Sequence, residues 1–191
     1  EIYGRAAEIT PEVARMMRDI GVSKVFIGAE SGDRSELRLA SKGTTPEVNV
    51  RAAYLCTHHG IALSVGIVVG LPGETEESLG RTLAHVRQLV SEAEVETISC
   101  AVLLPVPGSR AFQMLVDHPA TASRYSTGDH WDIREMQEDW LRHFTSINYD
   151  FGVQVAEEIL SYAPTQSAIV RFKNSAQRLQ KGKSAGALLW D

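Results

Sequence analysis

Gly66-Ile67-Val68-Val69-Gly70-Leu71-Pro72-Gly73-Glu74-Thr75-Glu76-Glu77 passes from an apolar run through a glycine- and proline-rich turn into a helix start. The run is β-branched and nearly continuous, the pattern of a strand in a parallel sheet rather than of a half-exposed one. Thr75 supplies a capping hydroxyl, and Glu76 and Glu77 place negative charge at the positive end of the helix dipole. One strand, one loop and one helix are therefore legible in a single stretch.

Working outward, the same unit recurs. Thr10-Pro11-Glu12-Val13 and Thr45-Pro46-Glu47-Val48 repeat four residues in the same order, each with an N-cap hydroxyl and a proline at the first helical position. With Thr75 and Ser109, four helix starts follow one another every 30–35 residues, the length of a strand, a helix and their connections. Lys24–Ala29, Leu63–Val69 and Thr97–Leu104 fill the gaps as short apolar strands, and Glu1–Ala6 reads as another before Thr10. Their continuous hydrophobicity predicts burial on both faces. Gly21 and Gly60 end the helices before two of the strands. The fold class is α/β with a parallel sheet.

After Ser109 the rhythm breaks. A short helix to Val116 precedes a polar stretch, His118–His130, without clear periodicity. Asp132-Ile133-Arg134-Glu135 predicts a capping box for a helix whose apolar face is Met136, Trp140 and Phe144. Helices are expected over Phe151–Tyr162 and Thr165–Leu179. No acid occurs from Ile159 to Trp190, and the basic residues there read as a solvated helix face rather than a partner site. Gly182-Lys183-Ser184 resembles the end of a phosphate loop, but Gln177 stands where that motif needs glycine. The organisation expected is residues 1–117 as a strand–helix domain and 118–191 as a helical extension.

The chain has 191 residues, a formal charge of −5 and no apolar stretch long enough to span a bilayer. That charge argues against broad nucleic-acid binding. Two cysteines, Cys56 and Cys100, make no disulfide framework and suggest a reducing cytoplasm. In parallel α/β sheets ligands bind at the carboxyl ends of the strands. Those ends are Glu30-Ser31-Gly32, Gly70-Leu71-Pro72-Gly73-Glu74 and Pro105-Val106-Pro107-Gly108-Ser109, all rich in glycine, proline and small polar groups. Three such loops at one end point to a ligand site. Gly66 and Gly70 suggest a close approach to the backbone. Competing readings are that Glu30 caps the following helix, or that Glu30 and Glu74 form an acid–base pair.

The same residues carry a resemblance. Phe26-Ile27-Gly28-Ala29-Glu30-Ser31-Gly32-Asp33 with Lys42-Gly43-Thr44-Thr45 resembles the fourth strand and loop of radical S-adenosylmethionine (radical SAM) enzymes. Gly66 to Gly70 is similar to the family's Gly-x-Ile-x-Gly segment on the fifth strand, with Val68 at the central apolar position. Leu104-Pro105-Val106-Pro107-Gly108-Ser109 resembles the end of the sixth strand, and Ile2-Tyr3-Gly4-Arg5 the third. The resemblance implies strands three to six of a partial TIM-like (β/α)6 barrel, a parallel (β/α) half-barrel followed by C-terminal helices. It also implies a [4Fe–4S] cluster and S-adenosylmethionine, whose reductive cleavage yields a 5′-deoxyadenosyl radical that abstracts hydrogen from substrate.

Carried onto this chain, the resemblance sets Glu30 and Ser31 against the ribose hydroxyls. Gly66, Val68 and Gly70 fall beside the adenine, and Leu104 and Pro105 line the other side. The family's Cys-x3-Cys-x2-Cys loop has no counterpart, and three thiolates cannot come from two cysteines. The expected role is thus a fragment or subunit of a radical SAM iron–sulfur oxidoreductase, with the cluster held in the parent protein and this chain alone inactive. The Gly-Ala-Glu-Ser-Gly loop looks most like members that carry a cobalamin-binding domain. A non-catalytic half-barrel scaffold is the alternative. Partners expected are the missing barrel half, or a second copy paired through residues 1–6.

Overall fold

The computed structural model describes residues 1–127 and 132–163. Four strands, β1 (Ile2–Gly4), β2 (Lys24–Glu30), β3 (Ala62–Val69) and β4 (Val95–Val102), form one sheet in sequential order, each neighbouring pair parallel. The helices in chain order are α1 (Pro11–Asp19), α2 (Arg34–Leu39), α3 (Pro46–His58), α4 (Glu76–Glu92), α5 (Arg110–Asp117), α6 (Ala122–Tyr125), α7 (Ile133–Phe144) and α8 (Tyr149–Ser161). An α/β sheet with strand–helix repeats is what the sequence pattern called for.

The four helix starts are formed by the expected residues. Thr10, Thr45, Thr75 and Ser109 each accept a hydrogen bond from the backbone N–H three residues on. Asp132 caps α7 in the same way, while the Glu135 carboxylate meets Arg124. Two features were not legible: Asp33 rather than Glu30 as the cap of α2, and α6, which buries Tyr125 inside the stretch read as irregular. Both helices are shorter than two turns, too short for helical periodicity to show. The expected helix over Thr165–Leu179 and the basic tail lie outside the described residues.

Helices α1, α3, α4 and α8 pack side by side along one face of the sheet, so α8 rather than α5 covers β4. The core lies between that layer and the strands. Val25, Ile27 and Ala29 of β2 and Ile98, Cys100 and Val102 of β4 point into it. The expected burial on both faces holds for the central strand β3, of which only Ala62 and Val68 are half-exposed. In β2 and β4 it does not hold: alternate residues are half-buried or exposed. The reason is that the opposite, inner face carries small or polar side chains such as Gly28, Ser99 and Ala101, with no second helix layer over them among the described residues.

The helical extension is fastened to the β3–α4 loop. Trp140 of α7 donates its indole N–H to the Gly70 carbonyl at 2.7 Å. Phe144 accepts from the Gly73 N–H, and Ser146 donates its N–H to the Glu74 carbonyl, both at 2.8 Å. Trp140 itself is fully buried.

Candidate functional site

The end of β2 is bent by its own backbone. Opposite β3, Gly28 pairs with Gly66 but Glu30 with Ile67, a bulge that swallows Ala29. Ser31 donates its N–H to the Ala29 carbonyl at 2.8 Å, closing a three-residue turn centred on Glu30 at φ 65°. Such a turn is strained for any residue with a side chain. Asn49, fully buried on α3, steadies it by donating to the same Ala29 carbonyl at 3.2 Å. The strain, of order 1–3 kcal/mol, is the sort held at functional sites.

The bend folds the Glu30 carboxylate back over β2. A Cβ at Gly28 would lie 2.6 Å from Glu30 Oε1, so a side chain there would push the carboxylate aside. There Glu30 accepts from Lys42 Nζ at 3.0 Å, with the carboxylate side chain 18% exposed and the lysine 37%. A pair so open to water contributes only about 0–1 kcal/mol, and a ligand hydroxyl can replace the lysine. A cleft of 280 Å³ opens here, lined among others by Arg5, Gly28, Glu30, Ser41 and Lys42. Glu30 and Ser41 are the two non-glycine residues with positive φ among the described residues, and both line this cleft.

A second cleft, of 560 Å³, lies across Lys42 from the first, with Val68, Leu104 and Met114 among its walls. Lys42 lines both. The structure therefore brings Glu30, Val68 and Leu104 around one lysine at the carboxyl ends of the strands.

The other expected residues are placed differently. Ser31 is fully buried: its hydroxyl donates to Glu36 Oε2 at 2.6 Å, shares a hydrogen bond with Thr82 at 3.1 Å and accepts from the Asp33 N–H at 2.9 Å. Gly66 is approached closely, as expected, but by the Phe26 ring, 2.6 Å from where a Cβ would stand. Gly70 spends its N–H on the Glu74 carboxylate and its carbonyl on Trp140. Pro105 is buried and lines neither cleft.

Neither competing reading of Glu30 survives the geometry. The α2 cap is Asp33, whose carboxylate accepts from the Ser35 and Glu36 N–H groups at 2.8 and 3.0 Å. Burial works to raise the Asp33 carboxyl, but hydrogen bonds from Ser35, Glu36 and Arg81 outweigh it and hold the group at about 2. Glu74 is fully buried and lines neither cleft, so it forms no acid–base pair with Glu30. Burial pushes its carboxyl up to about 8.

Sequence reasoning missed Lys42, Ser41 and Arg5. Lys42 stands twelve residues from Glu30 with a helix between, and no periodic pattern links such positions. Cys56 faces the core of α3 and Cys100 that of β4, their thiols pushed up by burial to about 11 and about 12. Two buried, protonated thiols on separate elements do not fit an iron–sulfur cluster. Among the described residues no group of three or more His, Cys, Asp or Glu side chains could hold a metal, and no helix is long and apolar enough to cross a membrane.

Comparison with known proteins agrees with this architecture. Residues 4–86 match the model of the radical SAM superfamily. An uncharacterized methyltransferase of Pyrococcus horikoshii is 24% identical over 146 residues, 74% of this chain and 29% of that protein. The anaerobic magnesium-protoporphyrin IX monomethyl ester cyclase of Rubrivivax gelatinosus is 32% identical over 102 residues, 53% of this chain and 18% of the cyclase. The chain thus spans less than a third of the length of these relatives. Among solved structures, the Elp3 of Methanocaldococcus infernus lacking its N-terminus superposes with a TM-score of 0.52 at 15% identity, over 82% of this chain and 40% of that one, a likeness of fold. Over residues 4–86 this chain therefore matches the radical SAM superfamily, and the parallel order of its strands agrees with that match.

Proposed function

We propose that this chain supplies the ribose- and adenine-binding half of an S-adenosylmethionine site in a larger radical SAM iron–sulfur oxidoreductase. The family implies that cofactor and a [4Fe–4S] cluster; the cluster's thiolates must come from other polypeptide. The cofactor, when bound, supplies radical chemistry; this chain's residues hold and orient it. Glu30 accepts from the ribose hydroxyls, displacing Lys42, and the apolar wall of Val68 and Leu104 packs against the purine. Ser31, its hydroxyl already engaged, acts by fixing the loop.

The observation that carries this reading is the convergence of both strained non-glycine residues, Glu30 and Ser41, on the one cleft at the end of β2. Evolution of a stable scaffold alone would not require a carboxylate held in a strained turn beside an exposed lysine.

The test is calorimetric titration of the chain with S-adenosylhomocysteine and its 2′-deoxy analogue. A carboxylate hydrogen bond to a hydroxyl is worth roughly 1.5–3 kcal/mol. Glu30→Gln should weaken S-adenosylhomocysteine about tenfold, Glu30→Ala more. The 2′-deoxy analogue should lose less than S-adenosylhomocysteine on Glu30→Ala, since the 2′-hydroxyl's part of the contact is already gone. Additive losses would remove Glu30 from the ribose. A correctly folded chain with no affinity for either compound would favour the scaffold reading, in which the half-barrel binds protein alone.

A further inference from the structure

The larger cleft offers more than a purine wall. Its floor is the end of β3 and β4; Leu39 of α2 stands on one side, Ala111 and Met114 of α5 on the other. At 560 Å³ it falls within the range of small-molecule sites, about 300–1,000 Å³. A purine on Val68 and Leu104 fills only part of it, leaving the α5 side open.

The charge of that lining is one-sided. Among the described residues Lys42 and Arg110 are its only ionisable residues and no acid lines it, although the chain as a whole carries a charge of −5. Lys42 is answered by Glu30 at 3.0 Å. Arg110 makes no ion pair among the described residues, so an unneutralised guanidinium stands at the mouth of an apolar hollow. A guanidinium in that position matches a carboxylate or phosphate in bidentate geometry.

We propose that the α5 side of this cleft is a ligand site for an amphipathic anion: an apolar ring or chain lying against Met114 and Ala111, with a carboxylate or phosphate paired to Arg110. On the cofactor reading, this is where substrate lies beside S-adenosylmethionine, and the substrate class is an apolar acid or phosphate ester.

The probes are 1-naphthyl phosphate, 1-naphthaleneacetate and the neutral 1-naphthalenemethanol, titrated calorimetrically into the full chain. Both anions should bind about tenfold or more tightly than the alcohol, and the tighter anion tells phosphate from carboxylate. Arg110→Gln, at an exposed position, should abolish that advantage and leave the alcohol unchanged. Ala111→Phe should weaken all three probes, with an unchanged melting temperature confirming the fold. Equal affinity for anions and alcohol, no binding of any probe, or anion affinity untouched by Arg110→Gln would overturn the proposal.

S-adenosylhomocysteine separates this proposal from the cofactor reading. It should bind together with the anions and be indifferent to Arg110→Gln; mutual exclusion, or an equal loss, would make Arg110 part of the cofactor site and overturn the inference. Anions that bind where S-adenosylhomocysteine fails would leave the anion site standing and the cofactor reading fallen. The reverse result would sink the anion site alone.

Discussion

At the scale of single residues, Glu74 shows how the site loop is wired. Its Oε2 accepts from the Gly70 N–H while Oε1 has no hydrogen-bond partner among the described residues, and the side chain is fully buried. Burial raises its carboxyl to about 8 from the ordinary 4.5. The folded state therefore holds a proton that the unfolded state has already lost between those values. The stability it brings is fully present below pH 4.5 and lost as pH rises through about 8. Glu74→Gln keeps an acceptor oxygen for Gly70 and cannot ionise. In denaturant titrations from pH 5 to 9, the stability of Glu74→Gln relative to wild type should rise with pH, by a few kcal/mol at most. A constant difference across that range would show that native Glu74 is ionised. His85 acts at the other end: burial pushes it from 6.5 down to about 4, so its contribution is lost as pH falls through that window.

At the scale of elements, Asp33 ties three pieces together. It caps α2 and binds Arg81 of α4 at 2.7 Å, directly after the bent end of β2. Removing it takes away a helix cap and an ion pair that is nearly buried on the carboxylate side. Asp33→Ala should destabilise the chain by about 1–3 kcal/mol, and Asp33→Asn, which keeps the cap, by clearly less. Thermal melts would check the order. Because the carboxyl is held at about 2 against the ordinary 3.8, the wild type's advantage should persist above pH 3.8 and fade as pH falls toward 2. An equal cost for both variants would mean the cap contributes nothing. The elements α2 and β2 are thereby a single unit around Glu30, and loosening one should loosen the other.

At the scale of the whole molecule, among the described residues β1 pairs only with β2, and its other edge has no partner strand. Tyr3 is 84% exposed, and Met16 of α1 and Ile20, just past its end, are 62% and 79% exposed. An open strand edge beside exposed apolar side chains is a template for another chain. We propose that this edge receives either the rest of the barrel or, in its absence, a second copy. Sedimentation equilibrium should show concentration-dependent association that Tyr3→Lys with Met16→Lys abolishes. A wild type that stays monomeric while the amides of residues 2–4 exchange rapidly would refute both forms of the idea.

Local chemistry determined much of this protein without help. The capped helix starts at Thr10, Thr45, Thr75 and Ser109, the apolar strands between them and the loops at one end of the sheet are nearest-neighbour properties, so they can be read residue by residue. That Glu30, Val68 and Leu104 line clefts at one end of the sheet was legible because they stand at strand ends, where parallel topology gathers them. What tertiary structure decided is the direction of side chains and the partners they meet. Ser31 turned inward because Glu36 and Thr82 offer buried hydrogen bonds, and Gly66 received Phe26 because the adjacent strand presents its ring there. Lys42 joined the site, and Trp140 fastened α7 to Gly70, through contacts between residues far apart in the chain. Such pairings depend on how the layers pack, a global balance that no local pattern encodes.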